Sequence, residues 1–369
     1  MTTKNAPSTD LREQFAALRS QGIRARDAAR QLGLSEGEVI AIHAASAMQP
    51  ELAERSLYTT VALDSAWVSI LQGLENCGPV MALTRNESVV HEKVGVYRNV
   101  SKTPHGPIAL AVGPEIDLRL FLSHWHAGFH VIEHGEKGEQ HSLQFFDVFG
   151  QAVHKVFARE GTDINALEDL VQRHARPELR PQFKTGRRER KALRPDSEID
   201  ALGLGDAWSQ MTDTHQFFEL LAKFKADRLQ SFRLLEGIHT RRTPLPRVQW
   251  LLEAAARRAL PIMVFVNNDG CIQIHSGVVS TIKVMGPWLN VLDAGFNLHL
   301  RQDHVAESWL VVKPTDDGDV TSIELFDESG ELIAMFFGER KPGQPELKGW
   351  RELAHELLQP REQAEEAAA

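Results

Sequence analysis

The chain has 369 residues, 42% hydrophobic and 25% charged, a balance that supplies a sizeable core and fits a soluble globular protein of two or three domains or one duplicated unit. Its net charge of -9 argues against general nucleic-acid binding by the whole chain, though not against a local basic patch. Only two cysteines occur, Cys77 and Cys271, neither in a C-x-x-C or C-x-x-C-H pattern, which excludes zinc ribbons and c-type covalent attachment and fits a reducing compartment.

The N-terminal stretch MTTKNAPSTDLREQF lacks a signal peptide's apolar core, and no apolar run is long enough to span a bilayer, so the cytoplasm is the expected location. Residues 11–45 carry two short amphipathic stretches broken at Gly33, and Ser35 with Glu38 forms an S-x-x-E capping box that opens a new helix. Helix, glycine turn, helix is also the outline of a DNA-reading helix-turn-helix. The second helix has no Lys or Arg, so a helical hairpin packed on the core is the preferred reading. From about residue 78 the texture changes to PVMALT, SVVHEKVGVYRNV, PIALAVG, IDLRLFLSHW and HSLQFFDVFGQAVHKVFA, which read as strands separated by turns. Helix resumes over 164–173, and the Pro- and Arg-rich residues 174–200, with GRRERKALRPD inside them, read as a basic linker; the run could touch phosphates, but a solvated surface segment is the plainer reading. In TDTHQFFELLAKF (212–224), Phe217, Leu220, Leu221 and Phe224 recur at helical spacing. Thr212 or Asp213 is the expected N-cap, with His215 in the first turn on the flank of the apolar stripe, beside Phe218.

The second half repeats the first. SLQFFDVFGQAVHKVF (142–157) matches SIELFDESGELIAMFF (322–337) at an offset of 180, and IDLRL (116–120) matches FNLHL (296–300) at the same offset. VGV (94–96) meets SGV (276–278) at 182, and DSAW and GDAW open the two helical parts. Near-constant offsets indicate a tandem duplication. The predicted fold class is α+β, each half a large antiparallel β-sheet with flanking α-helices set to one side. Residues 1–173 form the N-terminal repeat, 174–200 the linker, 201–358 the C-terminal repeat and 359–369 a disordered tail.

In EIDLRLFL, Ile116, Leu118, Leu120 and Leu122 point one way and Asp117, Arg119 and Phe121 the other. On pattern alone Arg119 is either a solvated strand arginine beside Asp117 or a cation facing a cleft; His299 takes its place in the repeat. His215 is likewise either a hydrogen-bonded structural histidine or a ligand. Histidines at 124, 126, 130, 134 and 141 gather around a Trp, but spacing specifies no third metal ligand, and surface histidines are the plainer account. No HExxH, P-loop or nucleophile elbow is present.

Taken together, MALTRNESVVHEKVGVYRNV, EIDLRLFLSHW, DTHQFFELLAKF, CIQIHSGVV, the two SLQFFD/SIELFD segments and FGERKPGQPE resemble the cytoplasmic haem-utilisation family, the HemS-like proteins also called haemin-degrading factors, from about Leu11 to Trp350. The resemblance implies haem in a cleft between sheet and helices. It implies His215 as axial ligand of the haem iron, Arg119 as the distal cation and the catalytic residue if haem is degraded, and Arg228, Lys313 and Arg340 as propionate-binding residues. Phe217 and Phe218 would line the porphyrin edge. Neutral imidazole is a good donor to haem iron, and Arg or Lys gives propionates charge-assisted bonds. The position of a propionate-side Tyr in some members is Phe337 here, which cannot donate a hydrogen bond. His91, in SVVHEK, matches a ligand proposed in one branch of the family; its plainer reading is a strand-end histidine in a turn. The function implied is haem binding in bacterial haem uptake, ending either in delivery to a haem oxygenase or in oxidative degradation that releases iron. The partners implied are haem and a haem oxygenase or the uptake machinery. A helix-turn-helix DNA-binding regulator is the distant alternative.

Overall fold

The computed structural model describes residues 8–44, 57–104, 106–136, 138–189, 192–244, 247–341 and 343–359; the expected tail beyond Gln359 lies outside the described residues. The chain divides into two units. The first takes in residues up to 85, 92–188 and 268–273, and the second 86–91, 189–267 and 274 onward.

The first half opens with α1 (Ser8–Ser20), α2 (Ala25–Gln31) and α3 (Glu36–Ala44), then β1 (Tyr58–Leu63) and α4 (Trp67–Gly73). Its further strands are β2 (Val80–Arg85), β3 (Val89–Gly95), β4 (Ser101–Lys102), β5 (Ile108–Val112), β6 (Asp117–Phe121), β7 (Ala127–Gly135), β8 (Gly138–Phe146) and β9 (Ala152–Ala158), closed by α5 (Ile164–His174). The second half runs α6 (Ala201–Ser209), α7 (Gln216–Phe224), α8 (Arg228–Leu234), β10 (Thr240–Arg242) and α9 (Val248–Arg257). It continues as β11 (Ile262–Asn268), β12 (Cys271–Gly277), β13 (Ile282–Met285), β14 (Trp288–Asp293), β15 (Phe296–Arg301), β16 (Glu307–Lys313), β17 (Val320–Phe326), β18 (Leu332–Gly338) and α10 (Lys348–Glu356).

The strands make two sheets of nine. In the first unit β1, β7, β8, β9 and β2 pair antiparallel in that order, and β4, β5 and β6 form a second antiparallel ladder. The second unit repeats both, as β10, β16, β17, β18, β11 and as β13, β14, β15. The duplication reaches the irregularities. The register shifts between Phe145 and Phe146 in one half and between Leu325 and Phe326 in the other. After each shift an aspartate closes the turn: Asp147 accepts from the backbone N–H of Phe149 and Gln151, and Asp327 from those of Ser329 and Glu331. Gly150 and Gly330 follow at φ 72° and 79°, a conformation that favours glycine.

Two expectations are corrected. Helices cover both faces of the strands, because neighbouring strand residues are apolar and buried in pairs. In the first unit Ala62 and Phe146 pack with α1–α3, while Leu63 and Phe145 pack with α4 and α5. In the second, Trp309 and Val311 face α6–α8 and Leu310 faces α9 and α10. DSAW and GDAW are not equivalent either. Trp67 begins α4 after β1, whereas Trp208 sits near the end of α6, before β10. The capping box is present: Ser35 N donates to Glu38 Oε2 at 2.7 Å and Glu38 N to Ser35 Oγ at 3.3 Å. Helices α1–α3 bury Phe15, Ala28, Val39 and Ile40 against Tyr58 and Phe129, the packed arrangement rather than a DNA-reading one.

Candidate functional site

The loop before α7 is built around His215. The helix starts at Gln216, later than the sequence reading, and His215 is its N-cap residue instead of lying in its first turn. The reason is where the loop's polar groups go. Gln216 Oε1 reaches back to the N–H groups of Thr212 and Asp213 at 2.9 and 3.3 Å. Asp213 does not cap the helix; its Oδ1 accepts from the backbone N–H of His215 at 2.7 Å and from the ring Nδ1 at 2.6 Å. These bonds, the backbone one first, hold the Asp213 carboxyl below the usual range, with Arg340 adding to the effect. An ionised carboxylate only accepts, so the imidazole proton sits on Nδ1 and the lone pair on Nε2. That tautomer ligates metal through Nε2, and a carboxylate behind the ring is the usual support for such a ligand. The His215 side chain is 90% exposed.

The following residues split between core and surface. Phe217 is buried, edge-on to Trp208 at 4.6 Å, while Phe218 is 62% exposed. Arg228, at the start of α8, places its guanidinium 5.2 Å from the Phe217 ring and 5.9 Å from that of Phe218, and Lys313 Nζ lies 4.7 Å from Phe217. Both cations converge on Glu324. Arg228 donates to it through Nε at 2.6 Å and Nη2 at 2.9 Å, Lys313 through Nζ at 3.0 Å and Ser322 through Oγ at 3.0 Å. Burial alone would raise the Glu324 pKa, yet Arg228 and Lys313 bring it down to about 2. Lys313 is lowered as well, but here the shift disfavours the charged form. Burial lowers it to about 8, because Arg228 repels it while a shared carboxylate offsets only part of the desolvation. The three side chains therefore form a largely buried cluster with one excess positive charge, in which Arg228 Nε and Nη2 and Lys313 Nζ donate to Glu324 and Arg228 Nη2 also reaches Met335 Sδ at 3.3 Å. Arg340 is differently placed. Its guanidinium is 3.8 Å from Asp317, and its buried Nε has no hydrogen-bond partner among the described residues. A buried donor without an acceptor is costly, and an incoming carboxylate would satisfy it.

His215, Phe217, Phe218, Arg228, Lys313 and Arg340 all belong to the second unit, linked by Asp213 on one side and the Phe217 ring on the other. An exposed imidazole with its Nε2 lone pair outward, an exposed aromatic ring and an unsatisfied guanidinium N–H suit an apolar, anionic, metal-bearing macrocycle. Phe337 lies on β18 opposite Ser322 and Met263, 5.0 Å from the Phe265 ring.

Arg119 belongs to the first unit. It lies on the side of β6 away from buried Leu118 and Leu120, half-exposed, and donates to the Asp117 carboxylate and to the Leu118 carbonyl. His299, its repeat counterpart, bonds Asn290 Oδ1 at 2.7 Å. His91 is not a strand-end histidine in a turn. It lies inside β3, wholly buried, its ring 4.9 Å from Phe296. Nor are all the clustered histidines at the surface. His130 and His141 are buried with rings 5.4 Å apart, because β7 and β8 are covered on both faces. No group of three or more metal-ligating side chains occurs among the described residues.

Sequence reasoning missed Glu324 and the role of Asp213. A glutamate inside the strand SIELF was the available signal for the first, since a buried carboxylate demands cations. Nothing in local spacing distinguishes a helix-capping aspartate from one turned onto an imidazole.

Residues 38–174 and 225–357 match the family described as haemin-degrading HemS/ChuX domain. Hemin transport protein HmuS of Yersinia pestis is 36% identical over 354 residues, 95% of this chain and 98% of the relative. The crystal structure of holo-PhuS, a heme-binding protein from Pseudomonas aeruginosa, superposes with a TM-score of 0.88 at 44% identity, covering 95% of this chain and 98% of that one. ChuS, described as a heme degrading enzyme of Escherichia coli O157:H7, gives a TM-score of 0.84 at 34% identity, covering 95% and 100%.

Proposed function

The chain belongs to the haemin-degrading HemS/ChuX family, and from that premise we propose that it binds haem at the His215 face of its second unit and hands it to an acceptor. The observation that carries the reading is the Asp213–His215 pair, which fixes the ligating tautomer on a side chain open to solvent. Haem, when bound, supplies iron as the ligand-accepting and redox-active centre. The chain's own residues do the rest. His215 offers Nε2, and Asp213 keeps the proton on Nδ1 and orients the ring. Phe218 covers apolar porphyrin surface that would otherwise face water. Arg340 meets a propionate with the N–H that has no acceptor among the described residues. Arg228 and Lys313, held by Glu324, contribute their one excess positive charge to the same face. Arg119 takes the distal role on the strength of the family resemblance, supported by its position off the core side of β6.

Hand-over is favoured by the ligand's setting. His215 is held at the end of a short helix by exposed hydrogen bonds, so it can exchange iron without disturbing the core. The acceptor class is a haem oxygenase, and the setting the bacterial cytoplasm; no described helix is long and apolar enough to cross a membrane. Relatives bear names for transport and for degradation, so the test separates the two. The protein loaded with one equivalent of ferric haem is mixed with an apo haem oxygenase without oxygen. The account predicts that the Soret band moves to that of the loaded oxygenase. Retention of haem, with ring opening on adding reductant, oxygen and catalase to the protein alone, would establish degradation instead.

A further inference from the structure

The first unit has an open cleft bounded by α2, the turn into α3, the Phe149–Gln151 turn and residues 184–187. It offers about 230 Å³ to a small molecule. We propose that this cleft binds a small phosphate-bearing anion, with a diphosphate as the minimal ligand, at Arg26, Arg30, Lys184 and Arg187.

The case rests on charges brought together from separate segments. Arg26 and Arg30 stand one helical turn apart on α2, on one side of the cleft. Lys184 and Arg187 come from the run that the sequence presents as a solvated linker, and the structure does not leave it loose. Lys184 N donates to Val148 O at 2.8 Å, and His126 Nε2 donates to Gln182 O at 2.8 Å. The Phe183 ring packs 5.7 Å from that of His126 and 6.3 Å from that of Phe146. Arg188 reaches Asp269 at 3.3 Å. Two glycines make the docking close. A Cβ on Gly37 would stand 2.8 Å from the Phe183 ring, and one on Gly150, at φ 72°, would stand 2.2 Å from Ser35 Oγ.

The carboxylates at the cleft are already engaged. Glu38 holds the N–H and hydroxyl of Ser35 at 2.7 and 2.9 Å. Glu36, almost wholly buried, is shared between Lys155 at 2.8 Å and Arg85. Asp27 lies 3.6 Å from Arg26 Nε. Arg26, Arg30, Lys184 and Arg187 thus line one cleft with the carboxylates of Glu36 and Glu38, in a chain whose total charge is -9. Holding like charges within a Debye length of each other opposes folding, and a bound polyanion reverses the sign of that cost. Guanidinium forks match phosphate oxygens in pairs, which favours phosphate over a monocarboxylate. Concavity favours a small ligand over a duplex, and α3 has no Lys or Arg to offer a groove.

Isothermal titration of the full chain with inorganic pyrophosphate in 150 mM salt is the test. Saturable binding is expected, weakened at least tenfold in Arg30→Ala/Arg187→Ala and only partly in Arg30→Lys. Arg173→Ala, on the exposed face of α5, is expected to bind as the parent does. Apo melting of each variant shows that these exposed side chains leave the fold intact. No saturable binding, or equal affinity in the double variant, would overturn the proposal. So would a 20-base-pair duplex that binds more tightly than pyrophosphate through the same arginines, which would make the cleft part of a nucleic-acid surface. The axial-ligand and propionate residues lie in the second unit and Arg119 is altered in no variant, so haem binding is expected to be unchanged and failure here leaves that reading standing.

Discussion

One hydrogen bond sets which nitrogen of His215 carries the proton, and that bond comes from a residue two positions away. Asp213→Asn offers Nδ1 either an amide N–H or an amide oxygen, so the ring is no longer held in one tautomer. Loss of such support costs metal sites roughly 10–100-fold in affinity. Asp213→Asn should therefore weaken ferric-haem binding by about that factor, while apo stability moves by no more than ~0.5 kcal/mol because both groups are exposed. Haem titration paired with apo melting checks this; equal affinity would mean that the pair is incidental. At this scale the spacing of Phe217, Leu220, Leu221 and Phe224 marked the helix, but it put His215 in the first turn where the structure has it as the N-cap residue. It was uninformative about the partners of Arg228 and Lys313. Glu324 lies 96 residues from the first of them and joins them only through strand pairing.

Between elements, the same glutamate ties α8 to β16 and β17. Glu324→Gln preserves shape but strands buried Lys313 beside the partly buried Arg228. Breaking a buried ion pair in this way typically costs ~3–5 kcal/mol. The variant should melt at least about 6 °C lower in the apo form, given roughly 2–4 °C per kcal/mol for a unit of this size. Melting within a degree or two of the parent would show that the cluster contributes little. The duplication was legible in SLQFFD and SIELFD because an Asp-centred turn, a left-handed glycine and a register shift all need particular residues at fixed positions. The two-sided covering was not. Strands buried on both faces lose the alternation from which sidedness is read, as Phe145 and Phe146 illustrate. The DSAW and GDAW match misled for the opposite reason: a four-residue likeness at a helix end carries no long-range constraint.

For the whole molecule, the buried histidines and the ion-paired glutamates make stability fall as pH falls. Burial holds His43 and His130 at about 4 and His154 at about 3. His154 sits between Tyr97 OH at 2.6 Å and Thr84 Oγ1 at 2.9 Å. Each binds its proton more readily unfolded, near 6.5, so stability is lost as pH falls from 6.5 toward those folded values. Glu36 and Glu324, held at about 2 by their cations against the opposing effect of burial, add a second loss as pH falls from about 4.5 toward 2. Apo melting should decline from pH 6.5 downward, by several kcal/mol at pH 4 as an order of magnitude. A melting temperature that stays level between pH 7 and 5 would show that these histidines titrate normally.

The central claim is that the exposed imidazole at the start of α7 ligates haem iron. The direct measurement is a ferric-haem titration of the parent and of His215→Ala, followed by absorption and magnetic circular dichroism. The account predicts one equivalent bound by the parent with a histidine-ligand signature. In His215→Ala that signature is lost, affinity falls at least tenfold, and added imidazole restores the parent spectrum. An unchanged Soret band with unchanged affinity in His215→Ala would contradict it.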